Sequence, residues 1–143
     1  MGILETLRVE MRRRIINAGV IPQDQYQREW HEAPDVDNFY IRETVIDMGR
    51  SEPSQSGLLQ NVLCEYDIFV NEKWLNPTLT ADNIAEKLQA EFDVKSPEKI
   101  KITLPDWDNV QAWVSEPVYR EAAEQDSGWY KLPVLIHVEC LIR

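Results

Sequence analysis

Apolar residues recur at steps of three or four near the start of the chain. Leu4, Leu7, Met11, Ile15 and Ala18 fall on one stripe, which predicts an amphipathic helix from Ile3 to Ala18 that stops at Gly19. Arg8, Arg12, Arg13 and Arg14 lie on the opposite stripe. They read as a solvated face with local pairs such as Glu10 with Arg14 at i,i+4. Residues 22–38 pass through Pro22, Trp30 and Pro34 without a clean period and read as an irregular connection.

From residue 39 the period changes to two. Phe39 to Asp47 is rich in β-branched and aromatic types, and Leu58 to Val70 alternates Val62, Cys64, Tyr66, Ile68 and Val70 with more polar positions. The polar stretch between them, Gly49 to Gly57, reads as a long hairpin loop. Asn76-Pro77 breaks the chain, and Thr80 is placed to cap a helix from Ala81 to Phe92 that buries Ile84, Ala85, Leu88 and Phe92. After Ser96-Pro97, Ile100, Ile102 and Leu104 alternate with Lys99, Lys101 and Thr103 in a short strand. Val110, Ala112 and Val114 mark another, entered through the turn Asp106-Trp107-Asp108-Asn109. The final run alternates from Tyr130 to Ile142. Pro133 lacks a donor, so the strand begins near it or lies at an edge there.

These elements predict one α+β domain over residues 1–143, with an antiparallel or mixed sheet of about five strands and two helices packed on one face. At 143 residues one core suffices, and five tryptophans with 43% hydrophobic residues exclude a disordered chain. Charge sharpens the picture. Fifteen basic and 25 acidic residues leave −10, which gives nucleic acid no electrostatic reason to bind. Four arginines against two glutamates leave residues 1–20 at +2 and the remainder at −12, an asymmetry able to orient one subunit against another. Cys64 and Cys140 fall on apolar faces and read as reduced core residues. Met1 to Arg14 is too charged for a signal peptide, and no apolar run approaches the roughly 18 residues of a membrane span, so a cytoplasmic setting is expected.

The search for chemistry returns little. The five glycines are scattered, so no Gly-rich loop cradles a phosphate, and His31 and His137 lack the short-spaced partners of a zinc site. Cofactors and metals are therefore expected to be none, and no catalytic residue is assigned. Cys64 faces the predicted core, a poor setting for a thiolate nucleophile. Asp106 and Asp108 have a spacing that can hold Mg²⁺, but acids in a turn are much commoner. Trp74, Trp107, Trp113 and Trp129 are either packing residues or interface anchors.

Four segments carry a family resemblance: Phe39-Tyr40-Ile41-Arg42, Glu65-Tyr66-Asp67-Ile68-Phe69-Val70, the helix with Ala85-Glu86-Lys87-Leu88 leading to Phe92, and Gly128-Trp129-Tyr130-Lys131-Leu132-Pro133-Val134. In this order the chain resembles the tail terminators and related tail-completion proteins of long-tailed bacteriophages. The resemblance implies a homo-hexameric ring with head-to-tail contacts, partnered by the tail tube and the head connector. DNA would pass through its channel without specific binding, helped by an acidic lining. Such a protein belongs to the virion tail or neck and is assembled in the host cytoplasm. The loop from Met48 to Gly57, with Arg50, Glu52 and Gln55, is the candidate for reaching a neighbour. A solvated hairpin tip without a partner is the alternative. The rival functions are a head-closure or adaptor subunit, an acidic inhibitor or immunity-type binding module, and an enzyme using Asp106 and Asp108 with a metal.

Overall fold

The computed structural model describes residues 1–28, 36–51, 57–93 and 100–143. The chain forms helix α1 (Ile3–Asn17), a 3-10 turn (Gln23–Gln25), strands β1 (Tyr26–Gln27), β2 (Phe39–Ser51) and β3 (Leu58–Asn71), and helix α2 (Pro77–Phe92). Strands β4 (Lys101–Ile102), β5 (Val110–Val114), β6 (Tyr119–Arg120), β7 (Glu124–Asp126) and β8 (Trp129–Ile142) follow. The fold is α+β with a mixed eight-stranded sheet in place of the expected five strands. Its main order is β1-β2-β3-β8-β5-β4, with β6 and β7 paired to β8. All pairs are antiparallel except β1 with β2.

Three long strands do most of the building. β3 pairs with β2 on one side and with β8 along its whole length on the other. One face of this trio carries Ile41, Val62, Cys64, Tyr66, Ile68, Val70, Val134, Ile136, Val138 and Cys140, all fully or almost fully buried. Leu7, Met11 and Ile15 of α1 and Ala81, Ile84, Ala85, Leu88 and Phe92 of α2 join them in one core. Helix α1 touches both β2 and β4, near opposite edges of the sheet, which requires the sheet to curl into a half-barrel around it. Both cysteines are free and buried. Among the described residues no helix is long and apolar enough to cross a membrane.

Several expectations need correction. The region read as irregular contains the 3-10 turn and β1, while Trp30 and Pro34 lie outside the described residues. Ala18 ends exposed beyond the helix, whose buried stripe adds Thr6. Helix α2 starts at Pro77, four residues before the expected position. Asn76 adopts a left-handed conformation (φ 51°) that turns the chain, and Pro77 supplies a fixed helical φ where its missing N–H costs nothing. Ser96, Pro97 and Lys99 lie outside the described residues, and the strand expected around Ile100–Leu104 is reduced to Lys101–Ile102. Pro133 does not begin β8 but lies at a local edge within it, the other expected placement, opposite Asp67 of β3. Its carbonyl accepts from the Glu121 N–H on the other side, so its nitrogen faces the gap between β6 and β7 and no ladder bond is lost.

Candidate functional site

The arginines of α1 largely serve the fold. Glu43 alternates with Ile41 and Val45 on the core face of β2 and is completely buried. A buried carboxylate must be paired. The Tyr26 hydroxyl donates to its Oε2, and the Nε atoms of Arg8 and Arg28 stand 3.6 and 3.7 Å from its Oε1. Glu5 ties both arginines together, at 3.1 Å from Arg8 and 2.6 Å from Arg28. Burial pushes the Glu43 carboxyl above its ordinary value, against the pull of the Tyr26 hydroxyl and the arginines. Arg14 pairs with Glu91 of α2 at 2.6 Å instead of with Glu10, whose partner is Arg13 at 2.7 Å. Arg8, Arg12 and Arg14 thus clamp α1 onto β2, β1 and α2, while Arg13 with Glu10 is the kind of exposed local pair expected of a solvated face.

The sheet face away from the helices carries a second cluster. Tyr40 stacks on Phe69 at 4.9 Å between ring centres, Trp129 meets Tyr40 edge-on at 5.2 Å, and Arg42 lies 4.8 Å over the Phe69 ring. Arg42 also holds the buried Asp67 at 3.1 Å. Next to it, burial and then the neighbouring Asp67 push the Glu65 carboxyl up to about 7.

Toward the tip of the ribbon β2 loses its cover, although β3 beside it stays paired with β8. Burial along β2 ends at Val45, and every residue from Ile46 to Ser51 is exposed, with a register irregularity between Asp47 and Arg50. Ile46 and Met48 leave 39% and 56% of their surface in water. Arg50 does not lie in a loop: it is a strand residue opposite Gln60. Glu52 and Gln55 lie outside the described residues. Gly57 anchors the returning strand at φ 116°, where an added Cβ would overlap the Ile142 carbonyl oxygen.

A second exposed cluster lies at the opposite end of the same ribbon, just past β3. The Asn71 carbonyl accepts from the Trp74 N–H and its side chain from the Lys73 N–H, folding a tight turn. Trp74 is 43% exposed, with its edge toward Phe39, and Leu75 and Leu79 project beside it at 80% and 56% exposure. Under Trp74 runs an open cleft of about 330 Å³ lined by Asp24, Gln25, Val36, Asp37 and Asn38. Gln25 pins this wall by donating to Asn38 and to the Phe39 carbonyl at 2.9 and 2.8 Å.

The candidate chemical groups are scattered. Cys64 is a core thiol whose burial pushes it up to about 12, and Cys140 is held up to about 11 in the same way. Asp106 and Asp108 are exposed in the turn between β4 and β5. Trp107 and Trp113 line a groove of about 430 Å³ along that hairpin, and Trp107 packs against the core. Among the described residues no three His, Cys, Asp or Glu side chains are placed to share a metal ion. The tip was the expected contact segment and Trp74 one of the possible anchors, whereas Leu75 and Leu79 beside it gave no sequence signal.

No family model matches the chain, and no curated protein matches it. Seven chains of known structure do match. One of them, which carries only a sequence identifier for a name, aligns over 99% of each chain with a TM-score of 0.70 at 12% identity. At that identity the likeness is one of fold.

Proposed function

We propose that this protein is a structural subunit of the tail-terminator type, forming a head-to-tail ring that caps a phage tail tube and joins it to the head connector. One observation carries the reading: β2 leaves the core at Val45 and presents Ile46, Met48 and Arg50 to solvent, while β3 beside it stays paired with β8. Exposed apolar residues on such a strand end mark a surface that is covered on assembly. The element order and the net charge of −10 agree with this role, since an acidic channel lets DNA slide where a basic one would hold it.

The same acidity supports a second reading, a binding module that covers one basic target. Purified tail tubes separate the two. A terminator binds tube ends and stops their growth, and Met48→Asp abolishes the effect. Tubes that grow unchanged in the presence of the wild-type protein would contradict the terminator reading.

A further inference from the structure

We infer that the ribbon tip of one copy docks on the Trp74 end of the next copy, with Arg50 entering the acid-lined cleft; the inference rests on the assembly reading above and names its contact. The two surfaces match in chemistry. The tip offers an exposed thioether and an exposed guanidinium in Met48 and Arg50, while Ile46, opposite Leu63, lies on the other sheet face from Arg50, opposite Gln60. The receiving end offers Trp74, Leu75 and Leu79 beside two exposed carboxylates, Asp24 and Asp37. Thioethers pack well on aromatic rings. A guanidinium both stacks on Trp and forks onto carboxylates, which a lysine does less well.

Geometry selects a second copy as the occupant. Phe39, which Trp74 touches, and Arg50, which pairs with Gln60, are eleven steps apart on β2, roughly 35 Å at about 3.3 Å per residue. One rigid strand thus holds the two surfaces apart, so they cannot meet within a copy. Two different patches that complement each other across copies form a heterologous contact, which closes into a ring or runs on as a filament. The receiving surface is built before binding: Asn71 fixes the turn, Asn76 and Pro77 fix the entry to α2, and Gln25 fixes the cleft wall. Little ordering cost remains to be met on docking.

Light scattering on three variants tests the contact. Arg50→Glu alone and the pair Asp24→Arg with Asp37→Arg should each weaken self-association by roughly 30-fold or more. All three positions are exposed, so thermal unfolding should match that of the wild type, and Met48→Asp should repeat the loss without reversing a charge. Mixing the two charge variants leaves one intact tip and one intact cleft. Because the glutamate introduced at position 50 of one variant also faces the arginine-lined cleft of the other, the mixture should grow to the wild-type mass. Joining all three substitutions in one chain should restore the wild-type mass. If the wild type assembles and the charge variants assemble equally well, this contact is wrong while the assembly reading stands. If the cleft variant dissociates but the Arg50 and Met48 variants do not, the cleft receives another partner and the inference fails. A wild-type chain that stays single with and without tail tubes overturns both.

Discussion

The two halves of β2 share a strand, a β-rich composition and a pairing partner, yet they do different work. From Phe39 to Val45 the strand is covered on its inner face by α1, and it carries the fully buried Glu43 held by Tyr26, Arg8 and Arg28. From Ile46 to Ser51 every residue is exposed, although Ile46 and Met48 continue the apolar content. Backbone pairing forms a strand in both halves, but only the first has side chains packed over it. The first half therefore supplies stability and the second supplies a surface.

Substitutions should separate these halves. The largest loss is expected for Glu43→Ala, which leaves two arginines and a buried phenol without their common acceptor. Because both arginines reach partly into water, the cost should be near the low end for a broken buried pair, about 3 kcal/mol in chemical denaturation. Gly57→Ala should cost about 2 kcal/mol, since it forces a side chain into a left-handed backbone against the Ile142 carbonyl. It should also loosen the ribbon tip. Met48→Asp should leave stability within about 0.5 kcal/mol, because its side chain is already in water, and yet abolish assembly.

A pH-dependent effect concerns Glu65. Its folded value of about 7 lies above its ordinary 4.5, so the folded chain binds this proton more tightly than the unfolded chain does. The stability it contributes is present below about 4.5 and is lost as pH rises through about 7. Glu65→Gln keeps the group neutral. Melting temperatures of the two proteins should agree near pH 4.5 and diverge toward pH 8, with the Gln form the more stable.

Much of this architecture was legible in the sequence because one-sided burial writes a period. β3 alternates as far as Tyr66 and β8 from Ile136 onward, with both faces buried at Tyr66–Val70 and Leu132–Ile136; β5 is at Val110–Val114 as expected, and α1 shows its stripe. Strands β1, β6 and β7, of two or three residues, are too short to show a period and form only because β2 and β8 offer them an edge. The role of Glu43 was hidden for a different reason. Its partners Arg8, Tyr26 and Arg28 are brought together by folding, and an acid between Ile41 and Val45 looks like any polar break. The candidate loop is shorter than its sequence suggests, since Arg50 is strand, while of the end at Trp74 and Leu75 only Trp74 carried a possible interface signal.

The division of β2 into a core half and a contact half is tested most directly by the mass of the wild-type protein in solution across a range of concentration and salt. The account predicts a mass that rises with concentration to a fixed multiple of 16.7 kDa, consistent with a closed ring. A mass of one chain at every concentration and salt, unchanged by added tail tubes, would contradict it and leave the exposed tip without an assembly role.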